Sequence, residues 1–158
     1  MNDANARPAV SSSVCYRDPV AALKWLETAF GFDPRVVVTS PDGKIVHAEL
    51  GYREGVIGVG DAWSPDHAAP VDIGGKNTQS VHIQLQEDVD AHYSRAQAAG
   101  ATIVRPLATQ SYGDRTYVCK DLEGHVWSFG QTVRAMSEED WDRELGTTTR
   151  KSIQEIER

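Results

Sequence analysis

The feature that most constrains this chain is an order of predicted elements that occurs twice. A strand, a helix and three further strands are predicted between residues 11 and 60, and the same order returns between residues 80 and 129. Asp18 and Asp88 stand before the two predicted helices, and they lie 70 residues apart. Each unit alone is too small to bury its own sheet, so the repeat predicts that the two units share one core.

Local signals support this order in both halves. Pro19 follows Asp18 as a helix start, because Asp caps free amides and Pro suits the first helical position. The segment 80–86 alternates apolar and polar residues, as a strand with one buried face does. The last two predicted strands flank the turn Asp121-Leu122-Glu123-Gly124, where Asp and Gly favour a tight reversal.

These elements predict an α+β fold in which one domain covers residues 9–133. Its two βαβββ modules span about 9–61 and 79–133, and a loop at 62–78 links them. Residues 134–158 lie outside the repeat, and an acidic first turn after Ser137 predicts a C-terminal helical extension.

Composition restricts the partners and the compartment. The net charge of −7 argues against nucleic acid or an anionic membrane as the main partner, because both require clustered Lys and Arg. No apolar run reaches membrane-spanning length, and residues 1–8 have no signal-peptide pattern. Cys15 and Cys119 have neither disulfide-framework nor zinc-ligand spacing, which predicts reduced thiols in a cytoplasmic protein.

Several short segments resemble the vicinal oxygen chelate superfamily, which includes glyoxalase I, extradiol dioxygenases and bleomycin resistance proteins. They are Tyr16-Arg17-Asp18, Ala29-Phe30-Gly31-Phe32, His47-Ala48-Glu49-Leu50, Tyr112-Gly113-Asp114-Arg115 and Asp121-Leu122-Glu123-Gly124-His125-Val126-Trp127. The family usually has Asp-Pro-x-Gly at the last turn, and here Leu122 replaces the Pro. The resemblance implies that the sheets of the two modules curl into a cleft, with helices on the outer face.

The resemblance also implies where metal ligands would stand in the enzymes of this family. Those positions correspond here to Ser11, to within one residue, and to Gly58, His82 and Ser128. Only His82 is a usual ligand, and one imidazole cannot hold Zn²⁺, Fe²⁺ or Ni²⁺ firmly. We therefore expect no metal and no other cofactor, as in the bleomycin resistance branch.

A rearranged metal site is the alternative for an enzyme of the glyoxalase or dioxygenase type, a lyase or a dioxygenase. His47 and Glu49 lie two apart on one predicted strand and so share a face, and with His82 they would form a displaced site for Zn, Fe or Ni. The competing interpretation is a polar strand face satisfied by hydrogen bonds.

The first hypothesis is a metal-independent protein that binds a small organic molecule and sequesters an antibiotic or another toxic compound. The predicted ligand-binding cleft comprises Ser11, Ser13, Gly58, Trp63, His82, Gln84, Tyr112, Arg115 and Ser128. For Trp63 a structural role at a groove edge is the alternative, and for Arg115 a bond to a carbonyl or an Asp. The resemblance implies a homodimer, and a role for the C-terminal tail as an interaction module is a third possibility.

Overall fold

The computed structural model describes residues 7–156 and contains two four-stranded sheets. The first module consists of β1 (Ser12–Cys15), α1 (Pro19–Phe30), β2 (Asp33–Thr39), β3 (Ile45–Tyr52) and β4 (Gly55–Gly60). The second consists of β5 (Val81–Gln84), α2 (Val89–Ala98), β6 (Thr102–Thr109), β7 (Asp114–Lys120) and β8 (Val126–Thr132). The predicted α+β repeat is confirmed.

Both sheets have the same topology. Their strand orders are β1-β4-β3-β2 and β5-β8-β7-β6, and in each sheet the first strand of the module runs parallel to the last. Ser13 lies opposite Gly58 in the first sheet, and His82 lies opposite Ser128 in the second. This register makes Ser13, and not Ser11, the counterpart of His82.

The two helices begin in the same way. The Asp18 carboxylate accepts a hydrogen bond from the Ala21 amide at 3.0 Å, and the Asp88 carboxylate accepts one from the Ala91 amide at 3.0 Å. Each bond satisfies an amide that has no partner within its helix. Gly31 then ends α1 with a φ of 71°, a left-handed conformation that costs glycine little.

Aromatic side chains of both modules form one core. Phe30 at the end of α1 packs against Phe129 and Trp127 of β8, with ring centroids 4.7 and 5.4 Å apart. All three side chains are buried. Burial of rings from both modules in one cluster stabilises the modules as a single unit.

The β7–β8 turn of the second module lies against the start of α1. Glu123 accepts hydrogen bonds from the Arg17 amide at 2.6 Å and from the Asp18 amide at 2.9 Å. His125 Nε2 donates to the Cys15 carbonyl oxygen at 2.6 Å. The turn therefore completes the amino end of a helix that belongs to the other module.

The C-terminal extension contains α3 (Glu138–Leu145), followed by a short 3₁₀ helix (Ile153–Glu155). Ser137 caps α3, and the Trp141 indole donates to the Tyr112 carbonyl at 3.1 Å, so α3 lies on the β6–β7 turn. Both helices fall within the predicted C-terminal extension 134–158, of which residues 157–158 lie outside the described part. Within residues 7–156, no helix is long and apolar enough to cross a membrane.

Candidate functional site

Each sheet has one face that α1 and α2 do not cover, here called its open face. On β7 and β8, the side chains of Tyr117, Cys119, Trp127 and Phe129 are buried on the helix side. Because side chains alternate along a strand, their neighbours lie on the open face. On the second sheet the open face carries His82, Gln84, Asp114, Thr116, Val118, Val126, Ser128, Gly130 and Thr132.

Five side chains on this open face form a continuous hydrogen-bonded network, here called the relay: Ser128, His82, Gln84, Asp114 and Thr132. Ser128 Oγ lies 3.0 Å from His82 Nδ1, and His82 Nε2 lies 2.9 Å from Gln84 Oε1. Gln84 Nε2 in turn donates to Asp114 Oδ2 at 3.3 Å and to Thr132 Oγ1 at 3.0 Å. Both ring nitrogens of His82 are thus engaged by protein groups.

The absence of a side chain at Gly130 leaves room for the side chains of the relay. A Cβ at this position would lie 3.2 Å from His82 Cε1 and 3.3 Å from Gln84 Oε1. These distances are shorter than ordinary van der Waals contact, so the imidazole and the amide lie over the bare backbone of β8 because residue 130 has no side chain.

The open face of the first sheet is barer. Gly58 and Gly60 lie on it beside Ser13, and a Cβ at Gly60 would meet no atom within 4 Å. Glu49, on the neighbouring strand, contacts His47 at 2.9 Å and Arg7 at 3.3 Å. The hydrogen bond from His47 and the charge of Arg7 lower the pKa of the Glu49 carboxyl.

A groove of about 590 Å³ runs between the strand edges of the two modules. It is lined by apolar residues (Val10, Ile57, Val81 and Ile83) and by polar residues (Ser11, Ser12, Ser13, Gln79 and His82), with Tyr52, Gly55 and Val56. The relay reaches this groove through His82. Ser11, Ser13 and His82 of the predicted cleft line it, whereas Gln84 and Ser128 join it only through the relay.

A second cavity of about 190 Å³ lies over the first sheet. Gly58 and Gly60 form part of its lining, and Trp63 and His67 of the linker stand at its rim. The two rings are 4.1 Å apart, yet Trp63 remains 75% exposed. An indole this exposed leaves most of its ring available for an aromatic or cationic contact.

Two predicted cleft residues lie elsewhere. Arg115 lies on the helix side of β7 and pairs with Asp90 of α2 through contacts of 2.8 and 3.0 Å. The guanidinium lowers the pKa of the Asp90 carboxyl. Arg115 therefore does not belong to the open face, which matches the alternative of a structural bond to an Asp. Tyr112 lies in the β6–β7 turn beside α3, away from the groove.

The side chains at the family's metal positions do not fit a metal site. Ser13, Gly58, His82 and Ser128 offer one imidazole, and both of its nitrogens are bonded within the relay. His47 and Glu49 contact each other, but among residues 7–156 no three or more His, Cys, Asp or Glu side chains group closely enough to hold an ion. The displaced site of His47, Glu49 and His82 is therefore not assembled.

Asp114, Gly130 and Thr132 were absent from the predicted cleft, although a signal for Asp114 exists in the sequence. The alternation on β7 places Tyr117 and Cys119 in the core, so residue 114 must lie on the opposite face and residue 115 on the core side. Gly130 has no side chain, and its role emerges only when the neighbouring strands are in place.

The comparisons with known proteins agree with this architecture. Residues 10–129 match the family model described as Glyoxalase/Bleomycin resistance protein/Dioxygenase superfamily. A Mycobacterium bovis protein, described as uncharacterized protein Mb0911c, is 34% identical over 137 residues, which cover 84% of this chain and 89% of the relative.

Solved structures are similar as well. TioX from Micromonospora sp. ML1 is 35% identical with a TM-score of 0.63, and the match covers 82% of this chain and 100% of TioX. TnmS3 from Streptomyces sp. CB03234, described as an antibiotic binding protein, is 20% identical with a TM-score of 0.62, covering 80% of this chain and 98% of TnmS3. At that identity the TnmS3 match supports the fold alone.

Proposed function

The chain belongs to the glyoxalase/bleomycin resistance protein/dioxygenase superfamily, and we propose that it binds a small organic molecule without the help of a metal ion. The groove between the modules is the binding site. An antibiotic or another toxic compound is the proposed class of ligand, and sequestration is the proposed purpose.

The observation that carries this proposal is the engagement of His82. This residue is the one usual metal ligand among the family's metal positions, and Ser128 and Gln84 occupy its two nitrogens. A metal ion at His82 would have to break one of these bonds and would find only serine and glycine at the family's other metal positions. The polar groups of the site are therefore better suited to hydrogen bonding than to coordination.

The size and lining of the groove favour an organic ligand. Its volume of about 590 Å³ lies within the roughly 300–1,000 Å³ typical of small-molecule pockets. Aliphatic side chains share the lining with a few serines and His82. Such a surface suits a mainly apolar molecule with a small number of polar groups.

The antibiotic class rests on similarity and stays part of the proposal. The description of the matching family includes bleomycin resistance proteins, and TnmS3, which shares the fold, is described as an antibiotic binding protein. The net charge of −7 favours a neutral or cationic compound over an anionic one.

A homodimer is a further part of the proposal, supported by the outer strand of the first sheet. In β2 the consecutive residues Val36, Val37 and Val38 are 36, 51 and 45% exposed. Val36 and Val38 lie on the open face and Val37 on the helix side, and exposed valines on both faces of an edge strand are a surface that proteins usually cover. A second copy of the chain covers it in the proposed assembly.

The binding proposal is tested by blocking the groove. The protein is purified without chelators, its metal content is measured, and aromatic antibiotics are titrated calorimetrically into the wild type, Ser11→Trp and Ser94→Trp. Ser11 lines the groove, whereas Ser94 lies exposed on α2. Loss of binding in Ser11→Trp alone is expected.

Two outcomes would contradict the proposal. One transition metal held stoichiometrically, together with turnover of a glyoxalase or dioxygenase substrate, would favour the metalloenzyme. Equal binding to all three proteins would place the ligand outside the groove.

A further inference from the structure

The polarity of the relay is set by the group at its end. The Asp114 carboxylate accepts hydrogen bonds, so the Gln84 atom that faces it at 3.3 Å must be the amide nitrogen. The reverse orientation of the amide would place two acceptor oxygens against each other. The amide oxygen of Gln84 is therefore directed at His82.

This orientation determines the tautomer of His82. A carbonyl oxygen only accepts, so His82 Nε2, at 2.9 Å from Gln84 Oε1, must carry the proton. In the neutral ring, Nδ1 is then an acceptor, and the Ser128 hydroxyl at 3.0 Å donates its single hydrogen to it. No hydrogen remains on Ser128 for a ligand.

Ser128 Oγ therefore offers only lone pairs to the open face. On the side away from His82 its neighbours are apolar: Val118 stands opposite it on β7, and Val126 precedes it by two residues on β8. Both valines are half-buried. The Ser128 oxygen is thus a hydrogen-bond acceptor with aliphatic side chains on the side away from His82.

We infer that Ser128 recognises a hydrogen-bond donor on the ligand. The class of ligand is an apolar or aromatic molecule that carries a hydroxyl or N–H group, and molecules whose polar groups only accept are disfavoured. This inference rests on the proposed function and extends its site, because the ligand of the groove would reach past His82 onto the open face, where Ser128 lies. Gln84 and Asp114 act as positioning residues, since they fix the direction of the Ser128 hydrogen.

A matched pair of probes tests the inference at mildly alkaline pH. The probes are 2-naphthol, which has a hydroxyl donor, and 2-methoxynaphthalene, in which a methyl group replaces that hydrogen. Binding to the wild type, Ser128→Ala and Ser94→Ala is followed by NMR titration. The ¹⁵N shifts of His82 report its tautomer independently of any ligand.

The wild type and Ser94→Ala are expected to prefer 2-naphthol by about tenfold, the effect of one hydrogen bond. Ser128→Ala is expected to bind both probes equally, and His82 is expected to carry its proton on Nε2. Equal binding of the two probes by the wild type, or a proton on Nδ1, would overturn the inference and leave the binding function intact. If neither probe binds the wild type, an apolar ligand in this groove is refuted, and the inference fails with it.

Discussion

The Tyr16 hydroxyl donates a hydrogen bond of 2.6 Å to Asp121 Oδ2 across the junction of the two modules. The same carboxylate accepts from the Trp127 indole at 2.9 Å and from the amides of Glu123 and His125 at 3.0 Å each. Asp121 is only 5% exposed, and these four donors replace the water that it loses on folding. Burial and the neighbouring carboxylate together raise the pKa of Tyr16, so its hydroxyl remains a donor.

Replacement of Tyr16 by Phe removes one donor from this buried carboxylate. We expect the free energy of unfolding to fall by about 1–3 kcal/mol, the usual cost of an unsatisfied buried group. Urea unfolding followed by tryptophan fluorescence measures the change. Tyr93→Phe is the control, because the Tyr93 hydroxyl makes no hydrogen bond within residues 7–156. Equal losses in the two variants would show that Tyr16 contributes through its ring and not through the hydroxyl.

The environment of His92 predicts how the free energy of unfolding depends on pH. Its Nδ1 accepts from the Tyr117 hydroxyl at 2.7 Å, and its Nε2 donates to the Phe30 carbonyl at 3.0 Å. Burial lowers its pKa below the ordinary value of 6.5, so the folded protein holds this ring neutral. As the pH falls, His92 takes up a proton in the unfolded chain before it does so in the folded protein. The free energy of unfolding that depends on His92 is therefore fully present above pH 6.5 and decreases below it.

The measurement is the midpoint of thermal unfolding between mildly acidic and mildly alkaline pH. His92→Gln cannot titrate at this position, so its acid-side decrease is expected to be shallower than that of the wild type. An unchanged slope would assign the pH dependence to other groups.

Gly130→Ala is expected to disturb the relay with little loss of stability. The added methyl group displaces the imidazole of His82, while alanine gains about 0.5–1 kcal/mol over glycine by losing less backbone freedom on folding. The ¹⁵N shifts of His82 and the affinity for 2-naphthol measure the effect. Gly60→Ala is the matched control, since no atom lies within 4 Å of the Cβ that it would add. If Gly130→Ala leaves the His82 signals unchanged, the ring does not depend on the space over β8.

Val37→Lys tests the proposed dimer. A charge in the middle of the exposed valines of β2 should prevent a second copy from covering them, so light scattering is expected to report a monomer. Val20→Lys places the same charge on α1, where the side chain is 46% exposed, and should leave the dimer intact. A wild type that is itself monomeric at micromolar concentration would refute the assembly.

The sequence was sufficient to predict the repeat because its signals are local. Asp18 and Asp88 cap their helices through an amide three residues away, and the alternation around His82 needs only one strand. The first-module residue equivalent to His82 could be identified only from the strand register. Serines stand at 11, 12 and 13, and the sequence alone cannot choose among them.

Contacts between distant segments could not be predicted in this way. Tyr16 and Asp121 are 105 residues apart, and no period in the chain links them. Arg115 was assigned to the cleft from its proximity to the turn, although the alternation along β7 places it on the helix side, where it pairs with Asp90 of α2. Trp63 lies in a linker whose sequence has no helix or strand periodicity. Its exposed position over the first sheet therefore becomes known only from the folded structure.

The bonds from Glu123 to the amides of Arg17 and Asp18 also have a consequence for the order in which the chain acquires its structure. During synthesis, α1 emerges long before Glu123, whose carboxylate lies 106 residues beyond the first of these amides. Until the second hairpin has been made, the amino end of α1 lacks these two acceptors, and Phe30 lacks the rings of Trp127 and Phe129. The first half of the protein therefore reaches its final state only after translation of the second. A chain interrupted between the modules would leave unsatisfied amides at the start of α1 and an exposed Phe30 ring, which chaperones and proteases would recognise.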